Sequence, residues 1–228
     1  MIRRDYFIRM VQELTQALSR VVFLKRAGEF ARASQEIERT LAKFWKLTPE
    51  QIEAFSLEQW LEQCRQEEGP MGEKLIALAD LFREHAELQA AETPAENSPA
   101  LLSKQRTSAI ALGLYLEAVA SPETIISTEL LNKIEKLVEQ TRRSRLPAEV
   151  LKRLLAYYET RGMLDKAEDV LFDCLDKNAD AAAPGLAFYE RLRTKSDEEL
   201  ERGGLPRAEV EEGRQELLSR TNPAPHPT

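Results

Sequence analysis

Cysteine and histidine are nearly missing from this chain, with two of each in 228 residues. Cys64 and Cys174 cannot build a disulfide framework. His85 and His226, the second in a Pro-rich tail, leave few routes to a metal centre or a histidine-dependent mechanism. No apolar run reaches the ~20 residues that a membrane-spanning helix needs. Nine glycines are too few and too scattered for a phosphate-binding loop; Gly203-Gly204 follows no strand and reads as a helix stop. The strict alternation of a half-buried strand is found nowhere. Basic excess is missing as well: the net charge is -7, which disfavours non-specific binding to nucleic-acid phosphates. The first fifty residues do carry a net +4 and the next fifty a net -8, but Glu29, Glu36 and Glu38 interrupt the basic block. The opening Met1-Ile2-Arg3-Arg4-Asp5 is followed at once by Arg9, Gln12 and Glu13, so no apolar signal segment forms, and a cytoplasmic protein is expected.

Helical periodicity is what the chain does have. Tyr6, Met10, Leu14, Ala17, Val21 and Leu24 recur by threes and fours, and Phe7, Val11, Leu18 and Val22 widen that stripe. A second helix is expected from Glu29 to Trp45, after Gly28. Thr48-Pro49-Glu50-Gln51 carries a capping residue, a Pro at the first helical position and a Gln able to reach back. Ser56-Leu57-Glu58-Gln59 repeats the pattern, so two short helices are expected between 49 and 66. Longer helices follow over 71–91 and 99–120, and another ends near Arg143. A pair over 147–161 and 163–177 surrounds Gly162. An interruption is expected over Ala181–Gly185. A helix through Leu186, Tyr189 and Leu192 comes next, then a short one capped by Ser196-Asp197-Glu198-Glu199, then a last one after Leu205-Pro206. The total is about ten helices in a single domain over 1–221, with 222–228 a disordered tail.

Residues 151–175 carry the most information. Leu154, Tyr158, Gly162, Leu164, Ala167, Leu171, Cys174 and Leu175 place large, aromatic, glycine and small residues at the spacing of a tight helical hairpin. Gly162 permits the turn, and Ala167 is small where the helices cross closest. This segment resembles a tetratricopeptide repeat, with Leu155 and Ala179 departing from the pattern. A weaker echo runs through Leu24, Gly28, Phe30, Ala33, Ile37 and Leu41, and helices 71–91 and 99–120 are a looser third pair. The resemblance implies an all-α fold: a tetratricopeptide-like array of antiparallel hairpins with extra capping helices. The opening Arg4-Asp5-Tyr6-Phe7-Ile8-Arg9-Met10 and the closing Ala187-Phe188-Tyr189-Glu190-Arg191-Leu192, with Gly203-Gly204-Leu205-Pro206, resemble an uncharacterised family of bacterial helical proteins. That second resemblance implies no activity.

No catalytic constellation, cofactor motif or metal-ligand spacing is present in the sequence, so no enzyme is expected. Cys174 reads as a buried core thiol and Cys64 as half exposed on its helix. His85 reads as a surface or core-edge residue, and Arg142, Arg143 and Arg145 as cations favoured at a helix C-terminus. The expected function is a non-catalytic scaffold or adaptor for a protein or peptide partner. Its groove is assigned to Glu149, Lys152, Arg153, Ala156 and Glu159, one mixed-charge face of a single helix. Two alternatives are self-association through the broad N-terminal stripe, and a small-ligand pocket lined by Trp60, Tyr115, Tyr157 and Tyr158. No nucleic-acid or membrane partner is expected.

Overall fold

The computed structural model describes residues 2–66, 69–91, 98–142, 144, 146–175 and 181–221. The side chains of Tyr6 and Phe7, the loop over 92–97, Arg143, Arg145, Ala179 and the tail from Asn222 lie outside the described residues. The described residues form twelve helices and no strand. These are α1 (Ile2–Arg26), α2 (Phe30–Trp45), α3 (Pro49–Ala54), α4 (Leu57–Gln66), α5 (Met71–Ala91), α6 (Pro99–Ala120), α7 (Thr128–Thr141), α8 (Ala148–Thr160), α9 (Leu164–Leu175), α10 (Ala182–Arg193), α11 (Asp197–Arg202) and α12 (Arg207–Thr221). The all-helical expectation holds, with twelve helices where about ten were expected.

Local chemistry sets the helix ends. Thr48 accepts from the Gln51 amide, and the Gln51 side chain accepts from the Thr48 amide at 2.9 Å. Ser56 with Gln59 and Ser196 with Glu199 form the same reciprocal pair. The expected break at 181–185 is not one: α10 already starts at Ala182. Pro184 lies in its first turn, where a missing amide leaves no helical bond unmade. No described helix is long and apolar enough to cross a membrane.

The chain divides into two compact units, Met1–Glu139 and Gln140–Thr228. In the first unit, α1 and α2 form an antiparallel hairpin about Gly28. Arg20 meets Glu36 at 2.6 Å and Lys43 meets Glu13, and the partners in each pair lie equally far from Gly28 in sequence. Met10, Leu14, Ala17 and Val21 of α1 are buried, as are Ala33, Ile37 and Leu41 of α2. The centre of the unit is α6, buried on every side from Thr107 to Leu116 and packed along α5. An all-round apolar helix of this kind belongs in a core. Trp60 of α4 is fully buried, with its ring 5.9 Å from Trp45, 5.4 Å from Phe55 and 5.0 Å from Phe82. Edge-on stacking of this kind adds to the area buried.

In the second unit, α8 and α9 form a hairpin about Gly162, and α10 packs on α8 and on α12. Of the hairpin's patterned positions Leu154, Tyr158, Leu164, Ala167, Leu171 and Cys174 are buried, and Leu175 is half-buried. The two hairpins share one turn. Glu29 N–H donates to Leu24 C=O at 2.9 Å and Gly28 N–H to Lys25 C=O at 3.1 Å. Met163 N–H donates to Tyr158 C=O at 2.9 Å and Gly162 N–H to Glu159 C=O at 3.1 Å. This is the Schellman closure of a helix C-terminus, which needs a left-handed residue. Gly28 at φ 76° and Gly162 at φ 67° supply it. The weaker echo seen in the sequence is therefore real at the level of the turn. The burial pattern matches less well: Phe30 is exposed while Leu164 lies buried against Gly203, Leu24 is half-buried where Tyr158 is buried, and Leu41 is buried where Leu175 is half-buried.

A Cβ at residue 162 meets no atom within 4 Å, so backbone strain alone sets the cost of an alanine there. Gly162→Ala is expected to destabilise by about 1–2 kcal/mol in urea unfolding, with Gly162→Asn milder.

Candidate functional site

Helix α8 buries Val150, Leu151, Leu154, Leu155, Tyr157 and Tyr158. The opposite strip carries Glu149, Lys152, Arg153, Ala156 and Glu159, so the five predicted groove residues do share one face. They differ in how open they are. Lys152 and Ala156 are exposed, while Glu149, Arg153 and Glu159 are half-buried. Arg153 Nη1 donates to the Glu149 carbonyl at 3.0 Å. The Glu159 carboxylate is held by Arg191 Nε at 2.8 Å, with Lys195 Nζ at 3.9 Å.

At the C-terminal end of this strip the surface becomes concave. A cleft of about 330 Å³ opens between the Gly162 turn and the start of α9 on one side and α11 on the other. Glu159, Arg161, Lys195, Glu199 and Arg202 line it. Gly203 builds its floor. The Gly203 carbonyl accepts from the Leu164 amide at 2.9 Å and the Asp165 amide at 3.2 Å, capping α9 from another helix. A side chain at 203 would place its Cβ 2.6 Å from Leu164, so only glycine lets α11 come this near. Glu199 is occupied by the backbone N–H and hydroxyl of Ser196 at 2.9 and 3.0 Å, and these bonds hold its carboxyl below the usual range. Arg161 lies over the Tyr157 ring at 5.6 Å. Only Glu159 of the cleft's charged residues was among the predicted site residues. Arg161, Lys195 and Arg202 each stand at or just past a helix end, and that position is the only trace they leave in the sequence.

The aromatic residues expected as an alternative pocket are core. Trp60 and Tyr115 are fully buried in the first unit, and Tyr157 and Tyr158 are buried in the second. Cys64 is buried too, against the expectation of half exposure; α5 covers it, and Lys74 Nζ donates to its carbonyl at 2.7 Å. His85 is 8% exposed, a core-edge residue whose ring burial pushes down. Among the described residues no group of three or more His, Cys, Asp or Glu could hold a metal ion.

The most unusual electrostatics lie on α5, around His85. Asp80, Arg83, Glu84 and Glu87 follow one another along a single face, and Glu84 is 3% exposed. Lys25 from α1 bridges Glu84 and Glu87, the latter at 2.6 Å. Lys133 from α7 meets Asp80 at 2.9 Å, and the Tyr115 hydroxyl of α6 donates to Asp80 at 2.5 Å. Burial pulls the Lys25 amine down, but its bonds to Glu84 and Glu87 outweigh that and raise it. Burial raises Glu87, and Lys25, with Lys136 and Arg83, turns the net shift downward. Burial, with Asp80 beside it, drives the Tyr115 phenol upward. The spacing of these charges was visible in the sequence. Nothing local said that they face inward.

In the second unit, Tyr189 of α10 donates to Glu168 of α9 at 2.5 Å. Burial raises the Glu168 carboxyl; the Tyr189 bond opposes this, while Glu209, Asp169 and Glu216 add to it.

A family model described as a family of unknown function (DUF6483) matches residues 1–222, and the chain belongs to that family. No curated protein and no solved structure matches the chain.

Two outcomes are expected. Lys25→Met leaves Glu84 as a buried carboxylate short of one cation and should destabilise by roughly 2–4 kcal/mol in denaturant unfolding. For Glu168, the folded carboxyl binds its proton at higher pH than the unfolded one. Its ionised form therefore weakens the fold at neutral pH, and stability returns as pH falls through the raised value. Glu168→Gln should raise Tm at pH 7, with the gain shrinking toward pH 4.5 in thermal melts.

Proposed function

We propose that this member of the family is a non-catalytic, cytoplasmic helical scaffold that binds a protein or peptide partner through tetratricopeptide-like hairpins. The observation that carries the reading is the outer face of α8. Six of its side chains are buried and fix the helix, while Lys152 and Ala156 stay open on the other side. The open strip is rigid, because Arg191 and Lys195 fasten its far end through Glu159. A rigid strip of mixed charge suits a folded partner or a peptide laid along it, since little ordering entropy is lost by the scaffold on binding. The shared glycine turns support the hairpin reading, and stacked hairpins expose one helix of each pair to a partner. Charges of this kind set orientation and association rate more than raw affinity.

A second reading is favoured by a separate observation. Phe23 is 70% exposed and Phe30 42% exposed, one on each side of the Gly28 turn. Two large apolar side chains at one hairpin tip are what self-association uses.

The full chain, tagged and recovered from its source cell beside the Lys152→Glu, Arg153→Glu double variant, tests the first reading. A partner enriched with the native chain and lost with a folded variant is expected. A partner retained equally by both excludes the α8 strip. Recovery of the bait alone, with a dimeric native mass at tens of micromolar, selects the second reading.

A further inference from the structure

Arginines of the second unit pair with carboxylates as a rule. Arg142 meets Asp173 at 2.7 Å, Arg191 meets Glu159 at 2.8 Å, Arg193 meets Glu190 at 3.2 Å and Arg207 meets Asp197 at 2.7 Å. Arg214 meets Glu190 at 3.0 Å and Arg220 meets Glu216 at 2.5 Å. Arg161 and Arg202 break the rule: among the described residues neither has an acidic side chain within ion-pair distance. Both are exposed, and both line the same 330 Å³ cleft. In a chain with 39 acidic residues to 32 basic ones, two unpaired guanidinium groups at one concave site are a local reversal of the overall charge.

The geometry points to an oxyanion site in this cleft, for a ligand of the phosphate-ester class. Of the two carboxylates of the lining, Glu159 is held by Arg191 and Glu199 by Ser196, with Lys195 and Arg202 adding a weaker attraction to Glu199 from beyond ion-pair distance. That leaves the forks of Arg161 and Arg202 and the hydroxyl of Thr160 lining one space, with Lys195 at its edge beside Glu159. A carboxylate is saturated by one guanidinium fork, whereas a phosphate ester offers three oxygens and close to two charges, which matches two forks. Stacking of Arg161 on Tyr157 braces one fork in place. The opposing influence is the helix dipole. Helices α8, α10 and α11 all end near the cleft, and each C-terminus carries roughly half a negative charge. The affinity is therefore modest, with Kd on the order of 0.1–1 mM at low salt. The site adjoins the strip of α8 at Glu159, but its two arginines lie outside that strip, so it does not depend on the partner-binding reading.

Calorimetric titration of the full chain with inorganic phosphate at ~20 mM ionic strength tests this. Saturable binding is expected. Arg161→Gln and Arg202→Gln should each weaken it about tenfold, and the double variant should abolish it, while Lys152→Glu, Arg153→Glu leaves it unchanged. Unaltered melting curves for the exposed arginine variants separate loss of the site from loss of fold. Parallel titrations with a phosphoserine peptide and its unphosphorylated form identify the source. A phosphopeptide binding tenfold tighter than phosphate assigns the cleft to a partner's modified side chain, and equal binding assigns it to a free phosphate ester. Absence of saturable binding up to ~10 mM phosphate, or native affinity in the double arginine variant, overturns the assignment.

Discussion

A left-handed backbone angle turns α1 back onto α2 and α8 back onto α9, and the packing of each hairpin follows from it. Once Gly28 and Gly162 take positive φ, the carbonyls that would otherwise dangle at the ends of α1 and α8 are closed by the next two amides. The following helix must then run antiparallel. Ala33 and Ala167 fall at the same distance beyond each glycine, and both are fully buried. The ion pairs of Arg20 with Glu36 and Glu13 with Lys43 are a consequence of that reversal, because residues equidistant from the pivot come to lie side by side.

Buried charge distinguishes the first unit from an ordinary apolar bundle. An isolated carboxylate at the depth of Glu84 would be costly. Here Lys25 and Arg83 both reach it, and Lys133 and Tyr115 serve Asp80 nearby. Cations from α1 and α7 and a hydroxyl from α6 thus converge on one face of α5. Apolar residues of similar shape could fill the same volume with as much stability, but they would accept neighbours in several registers. A carboxylate ladder accepts only the arrangement that brings each cation to its partner.

The helices were legible in the sequence because their ends are written in local chemistry: Thr48 with Gln51, Ser196 with Glu199, and Pro99 after Ser98. The α8 strip was legible for the same reason, since it is a periodicity within one helix. What stayed hidden depends on residues far apart in the chain. Nothing near Glu84 in sequence signals its burial; the cation that meets it, Lys25, comes from α1. Arg161 and Arg202 are far apart in sequence, and only the Gly203 backbone, seating α11 on the start of α9, brings them to one cleft. Pro184 was misread as a break because a proline in a first turn and a proline between helices look alike in sequence.

The cap that Gly203 places on α9 also ties together two helices far apart in the chain. The α8–α9 hairpin is built from contacts close in sequence, which form quickly. The amides of Leu164 and Asp165, however, wait for a carbonyl from far down the chain. Until it arrives, α9 starts with unsatisfied donors, and α11, one and a half turns long, has little stability of its own. Each completes the other: the end of α11 satisfies the first amides of α9, and the start of α9 holds the end of α11 in place. The cleft floored by Gly203 shares that dependence, since Glu199, Arg202 and Gly203 reach it only with α11 seated against the start of α9.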